Sequence, residues 1–524
     1  MRDSHLRRGS LHPPSHGAAD LAESSRPDWV LLDFRAYFAD CRNSTTASCK
    51  TRNGKDKIQV TFFPARPPRL SYFCVHCQGV EPSGFAMEPK VLATHDNVLL
   101  LRISIGSPNQ IICHYLHEYY VYRASNGADA RPSLELLPHP GPCFFFDEQV
   151  GILSRGTGYT VVALRDDGSG FDRGSYTPGE YDVCLLDSEN KNWTKKDVFV
   201  PLHRQQQASN GEERFSHESS KVITIGGEHG TVAFVDLSRG ILLFNVLQGD
   251  PMLRYFMMPP LLNRSPGRRS NCDQDIALVN GCFKVVDFLS KISRVEGSYG
   301  DYMNDGWAVA TWEKEVESPE VDSWSPCYNL ASHNIDTDHN PLLVELLPKL
   351  PGYEGQLIFQ RLHTGHPTVS LCNDHVVYLM TKVELSDSKA WVIAIDMSNG
   401  MLQDVAEFSA GRTFDTSSAF TQSTISKHLI MTSGNYTFQR CDTCNYVHQS
   451  SVTLFMADTF CYLYFQYQQT ARLQDSGIKL LQLGANWQKA QGVAYGLGPY
   501  LIKYSIKHGN KTFVLVHREM QGVF

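Results

Sequence analysis

The chain has 524 residues, 42% of them hydrophobic and 11% aromatic. That is enough to bury a core but too long for one ordinary core, so several domains or one repetitive architecture are implied and wholesale disorder is excluded. The balance of 48 basic against 55 acidic residues, net −7, creates no field that would draw the whole protein onto nucleic acid or an anionic membrane. No apolar run approaches the roughly 18 residues of a spanning helix, so no membrane crossing is expected.

Residues 1–27 mix Arg7 and Arg8 with Asp3, Asp20 and Glu23 and hold no apolar stretch of the signal-peptide kind. A disordered N-terminal tail is predicted there. Without a secretory signal, the sequons at Asn43, Asn192, Asn263, Asn435 and Asn510 are read as coincidences. The 14 cysteines are then expected as reduced thiols in an intracellular setting, cytoplasm or nucleus.

Beyond the tail, apolar residues rarely recur at i, i+3, i+4 and i+7. Short runs rich in Val, Ile, Phe and Tyr, punctuated by Gly, Asn and Asp, predict an all-β protein. Residues 28–200 read as an N-terminal β region. Residues 201–220 (PLHRQQQASNGEERFSHESS) read as a polar loop or linker, 221–320 as a central β region and 321–524 as a C-terminal β region.

Within the central region, KVITI, TVAFVD and ILLFNVL, joined at Gly226–Gly230 and Leu237–Gly240, predict a three-strand meander over Lys221–Leu247. Thr368–Phe408 predicts four strands joined by turns, the size of one propeller blade. The two stretches share an Asp, a Ser and a Gly in one register, Asp236 aligning with Asp396. The Asp and Ser suit backbone hydrogen bonds in a turn, and the Gly a positive φ. Weaker echoes at Asp187 and Asp287 give spacings of 49, 51 and 109 residues, and a period near fifty is that of a four-stranded blade. The predicted fold is a β-propeller of about six or seven four-stranded blades. Two packed β domains are the alternative, because the repeat fades between Glu313 and Leu362.

At the meander the sequence resembles a family of plant proteins, expanded in grasses, known as domain of unknown function (DUF) 1618. The resemblance is carried by GTVAFVDLSRGILLFNVL from Gly230, LRYFMMPP from Leu253, DIALVNGCFKVVDF from Asp275 and GWAVATW from Gly306. An opening Asp28–Asp33 segment and PPRLSYFCVHC over Pro67–Cys77 add to it. It spans roughly residues 28–320. The chain departs where the family favours Trp, at Phe234 and Ser238, and Cys-Asp, at Phe244 and Asn245. The resemblance implies plant ancestry and no established activity, cofactor or catalytic residue.

Two CxxC pairs, Cys74/Cys77 and Cys441/Cys444, have metal-ligand spacing and are the candidates for a structural zinc site. Against it, strand alternation would send Cys74 and Cys77 to opposite faces. The histidines at His114/His117 and His363/His366 lack an HExxH-type helix and are expected in solvated loops. Asp336–Asn340 begins like a calcium loop but has Pro341 where Gly is required. Gly156-Thr-Gly158 lacks a third glycine and a phosphate-binding lysine and reads as a turn into a strand. Trp307, Trp312 and Trp324 are expected to pack between sheets.

A basic loop of Arg264, Arg268 and Arg269 is the candidate contact for an acidic partner. No catalytic residue and no cofactor is named. The leading expectation is a non-enzymatic scaffold for an unidentified protein partner. The alternative is an enzyme or small-molecule binder with a site in a propeller channel. Nucleic-acid binding is disfavoured by the net acidic charge.

Overall fold

The computed structural model describes residues 6–14, 27–106, 116–125, 131–166, 178–201, 204, 215–260, 262, 273–294, 302–317, 323–336, 339–350, 357–409, 420–430, 437–439, 492–496, 501–508 and 511–518. The chain divides into two compact units, Met1–Cys441 and Asp442–Phe524. The first unit is a six-bladed β-propeller, as the repeat spacing predicts.

Five blades are four-stranded antiparallel meanders. Blade 2 comprises Phe85–His95, Val98–Ile105, His117–Arg123 and Ser133–Leu136. Blade 3 comprises Val150–Arg155, Gly158–Asp166, Glu180–Asp187 and Trp193–Phe199. Blade 4 comprises Lys221–Gly226, Thr231–Asp236, Gly240–Asn245 and Arg254–Met257, which completes the predicted meander with a fourth strand. Blade 5 comprises Gln274–Val279, Cys282–Arg294, Tyr302–Glu315 and Ser325–Ala331. Blade 6 comprises His363–Val369, Val376–Lys382, Lys389–Asp396 and Met401–Ser409.

Blade 1 closes the ring from both ends of the unit. Its strand order is Phe420–Ser423, Val30–Asp33, Leu70–Cys77, Lys57–Phe63 and Ala47–Lys50, with Tyr37–Phe38 also beside Leu70–Cys77. Val30 pairs with Ser423 and Asp33 with Phe420, antiparallel. Joining a late strand to an early one in a single sheet removes the open edge that a chain of blades would otherwise present.

The blade strands read as unbroken apolar runs because both of their faces are buried. In Thr231–Asp236, Val232 and Phe234 pack toward blade 3, while Ala233 and Val235 pack toward blade 5. In blade 6, Val377, Leu379, Ile393 and Ile395 face blade 5, while Val376, Tyr378, Met380 and Val392 face blade 1. Alternation at a period of two thus builds six hydrophobic layers, one between each pair of neighbouring blades. Burying a side chain such as Phe234, which is fully enclosed, contributes roughly 2–3 kcal/mol.

Three regions lie outside the simple blade repeat. In the segment read as a disordered tail, Arg8–Leu11 form a 3-10 turn. There Leu6 is buried in the layer between blades 1 and 2, Ser10 donates to Glu88, and Tyr72 donates to the Pro14 carbonyl at 2.9 Å. In the polar 201–220 stretch, Phe215 and His217 are buried. Between blades 5 and 6, where the repeat fades, the chain inserts the short helices Pro341–Glu345 and Leu357–Arg361, and Ile358 and Phe359 cover the layer between those blades.

The second unit is described at one antiparallel sheet of Gly492–Gly496, Leu501–His508 and Lys511–Arg518. Among the described residues no helix is long and apolar enough to cross a membrane.

Candidate functional site

The first strand of each blade lies innermost, and these strands are tied to one another by side chains. Thr224 of blade 4 donates to the Ile152 carbonyl of blade 3 at 2.8 Å. Thr94 of blade 2 and Ser423 of blade 1 share a hydrogen bond of 2.8 Å.

The densest of these links centres on Lys221, at the start of the blade 4 inner strand. Its Nζ donates to Asp275 Oδ1 of blade 5 at 2.7 Å, to the Ile276 carbonyl at 2.9 Å and to Gln422 Oε1 of blade 1 at 3.0 Å. All three ammonium protons are therefore used. The Gln422 amide in turn donates to Asp275 Oδ2 and to the Val369 carbonyl of blade 6. Blades 1 and 4 stand opposite each other in a six-membered ring, so Lys221 and Gln422 meet across its axis. A cation, a carboxylate and an amide whose polar atoms satisfy one another form a bolt that holds four blades in register.

His366 sits beside this bolt. A β-bulge between Gly365 and Thr368 places it in the left-handed region at φ 49°, a conformation that a non-glycine residue holds only where its surroundings enforce it. The ring is buried and lies edge-on to Phe420, with centroids 4.4 Å apart. Its Nε2 meets the Phe420 carbonyl at 3.2 Å, which makes Nε2 the protonated nitrogen. Among the described residues its Nδ1 has no hydrogen-bond partner. Burial pulls this imidazole down to about 4, against the opposing pull of Asp275, so it is neutral at pH 7.

The residues singled out from the sequence are not brought together. Cys74 lies with Tyr37, Cys41 and Tyr72, whereas Cys77 lies in the layer between blades 1 and 2. They are on opposite faces of their strand, as alternation requires. Burial pushes the Cys77 thiol up to about 11. Cys441 and Cys444 lie outside the described residues, as do Arg264, Arg268 and Arg269. Among the described residues no three His, Cys, Asp or Glu side chains converge as a metal site would require.

The expectation of solvated loop histidines is corrected for His117 and His366, while His114 lies outside the described residues. His117 and His366 are strand residues with closed surroundings, and His363 meets the Asn304 amide at 2.9 Å. The strand surroundings close over His117 and His366, whereas His363, at the start of its strand, is half-buried. Gly156–Gly158 is the hairpin between the first two strands of blade 3. Trp307 and Trp312 are buried between blades, and Trp324 donates to the Met257 carbonyl at 2.8 Å.

Residues 234–378 match the family model described as "Protein of unknown function (DUF1618)". This match supports the DUF1618 family. The matched segment runs from the second strand of blade 4 through blade 5 to the second strand of blade 6. It therefore holds Asp275 and His366 but neither Lys221 nor Gln422. No curated protein matches the chain.

Among solved structures, the WD40 domain of SCAP from fission yeast is 10% identical at a TM-score of 0.26, over 69% of this chain and 76% of that one. The phage phi92 endosialidase is 9% identical at a TM-score of 0.32, over 95% and 88%. A hypothetical protein from Leishmania major is 10% identical at 0.21, over 74% and 96%. Likeness at this level bears on neither activity nor partners.

Proposed function

We propose that this DUF1618 protein is a non-enzymatic interaction scaffold of the plant cell interior, cytoplasm or nucleus. The observation that carries this is a set of exposed apolar side chains on the rim where blades 3 and 4 meet. Phe199, Leu247 and Met252 are 42%, 44% and 49% exposed. Phe199 ends the outer strand of blade 3, and its amide donates to the Pro251 carbonyl at 2.9 Å. Leu247 and Met252 belong to that same blade 4 connection. Apolar side chains gathered on a rigid frame are what a protein partner buries first. The bolt across the axis supplies the rigidity. The basic loop of Arg264, Arg268 and Arg269 is a second, acidic-partner contact within the same proposal.

The test is affinity purification of the tagged full chain from plant cells with mass spectrometry. It is run beside Phe199→Ser/Met252→Ser and, separately, Arg264→Glu/Arg268→Glu/Arg269→Glu. Partners that co-purify with the wild type and are lost with the rim variant support the scaffold. The same partner set with all three proteins rejects both contacts.

One observation favours a small-molecule binder instead. The buried, unpartnered Nδ1 of His366 stands in a strained bulge at the axis, where an orphaned acceptor calls for an explanation. A metabolite screen by thermal shift separates the two readings: a compound that stabilises the wild type but not His366→Phe establishes the binder.

A further inference from the structure

Ahead of blade 1 the sequence Leu6-Arg7-Arg8-Gly9-Ser10-Leu11 puts two arginines three and two residues before a serine, with a leucine directly after it. The pattern Arg-Arg-x-Ser occurs nowhere else in the chain. Two guanidiniums at that offset suit the carboxylates with which arginine-directed serine/threonine kinases select their substrates, because each planar fork takes a carboxylate through paired, charge-assisted hydrogen bonds. The serine hydroxyl is then the group placed in the cleft.

The fold makes that same serine a point of attachment. Around the 3-10 turn Arg8–Leu11, the Ser10 amide donates to the Arg7 carbonyl at 2.9 Å and the His12 amide to the Gly9 carbonyl at 3.3 Å, bonds that close within the segment. Side chains hold it to the blades. Leu6 enters the layer between blades 1 and 2, Leu11 packs against that layer, and Tyr72 donates to the Pro14 carbonyl at 2.9 Å. Ser10 is 0% exposed, and its Oγ donates to Glu88 Oε1. Glu88 is also buried, and its Oε2 accepts from Arg35 at 3.1 Å. A phosphate on Ser10 reverses this contact. The proton that Glu88 accepts is gone, and a charge of about −2 stands against a buried carboxylate. Arg35 supplies one positive charge and already serves Glu88, so the two anions are not both neutralised, and a fully enclosed side chain has no room for the added group.

We propose that Ser10 is a phosphorylation site for an arginine-directed serine/threonine kinase, and that its phosphorylation releases residues 6–14 from blades 1 and 2. The Ser10 Oγ attacks the γ-phosphorus of ATP, the bond from that phosphorus to the β,γ-bridging oxygen breaks, ADP leaves, and the hydroxyl proton passes to a base of the kinase. The kinase acts on the opened segment. A short peripheral stretch held by a handful of side-chain contacts opens locally while the ring stays folded. The phosphate then blocks its return, so the modification traps the open form.

The experiment incubates the full chain with ATP and the catalytic subunit of an arginine-directed kinase, maps phosphate by mass spectrometry and follows hydrogen exchange over residues 6–14. The expected result is phosphate on Ser10, at a rate that falls about tenfold or more in Arg7→Ala/Arg8→Ala. Loosening of the segment by those substitutions would raise the rate, so a fall reports recognition by the kinase. On phosphorylation, exchange over residues 6–14 is expected to quicken about tenfold or more while the strands of blades 3 to 6 keep their protection. Ser10→Ala shows no kinase-dependent change. Glu88→Gln, which keeps an acceptor but removes the charge, is still modified and loses much of the phosphate-induced change in exchange. The proposal is overturned if Ser10 stays unmodified under conditions that phosphorylate a synthetic peptide of residues 5–14, if the arginine variant reacts as fast as the wild type, or if residues 6–14 exchange equally slowly with the phosphate in place.

Discussion

Lys221 Nζ and Gln422 Oε1 lie 3.0 Å apart although they come from opposite blades, with Asp275 accepting from both. The contact ties blade 4 to the strand that closes the ring, so closure is held inside the ring as well as by the strand pairing of blade 1.

Replacing Lys221 by Met leaves Asp275 as a largely buried carboxylate without its cation. The side chains of Lys221 and Asp275 are 25% and 14% exposed, so partial solvation softens the penalty. A loss of about 2–3 kcal/mol is expected by urea unfolding. A cycle with Asp275→Asn should give a coupling of about 1 kcal/mol or more. Additive effects would mean that the pair does not act as a bolt.

Phe420 begins the closing strand and is buried against the layer between blades 6 and 1. Truncation to Ala removes both its packing and the ring face that His366 rests on. A cost of about 3 kcal/mol is expected. Phe199→Ala, on the exposed rim, should stay within about 0.5 kcal/mol. Equal effects at the two sites would contradict the assignment of Phe420 to the closing layer.

The fold was legible in the sequence for a reason only partly correct. Asp187 and Asp396 both end the third strand of a blade. Their carboxylates accept from the backbone amides of Glu189 and Ser398, each at 2.9 Å. Asp236 does the same for Ser238 but ends a second strand. Asp287 is inside a strand and accepts from Gln274 and the Leu262 amide. The period near fifty therefore mixes three positions. It survives because any hairpin of this length favours an Asx turn at its end.

The bolt was not legible. Lys221, Asp275 and Gln422 are separated by long stretches of chain, and neither spacing nor residue type marks them before the ring closes.

Two buried imidazoles set an acid response. Burial pulls both His217 and His366 down to about 4, with Asp236 and Asp275 opposing it respectively, while an unfolded chain holds histidine near ~6.5. Between those values the unfolded state binds protons that the folded state refuses, so stability rises with pH across the window and is lost on acidification. Each histidine contributes a slope of up to roughly 1.4 kcal/mol per pH unit. His95 and His363, also lowered by burial, act in the same direction. Urea unfolding at pH 6.5, 5.5 and 4.5 should show the fall, and His366→Gln should flatten it. A stability independent of pH across that range would show that these rings are solvated.

Gly240 and Gly400, which the sequence aligns, are required for different reasons. Gly400 follows the Asp396 turn at φ +72°, and a Cβ there would stand 2.7 Å from the Asn334 carbonyl oxygen. The positive φ expected from the turn is present, and alanine pays both the backbone strain of about 1–2 kcal/mol and the clash. Gly240 is an ordinary strand residue opposite Asp236 and Met257. A Cβ on it would meet the Phe256 carbonyl oxygen and the Tyr255 hydroxyl. Tyr255 is anchored there by donating to the Arg239 carbonyl at 3.0 Å. Gly240→Ala is therefore expected to cost about 2–3 kcal/mol through overpacking alone. Removing the obstructing hydroxyl in Gly240→Ala/Tyr255→Phe should recover little, because the backbone oxygen of Phe256 and the ring carbon Cζ of residue 255 remain. Thermal unfolding of the single and double variants decides the matter. Full recovery in the double variant would assign the clash to the tyrosine hydroxyl, and an unaffected Gly240→Ala would mean that the fourth strand of blade 4 yields freely.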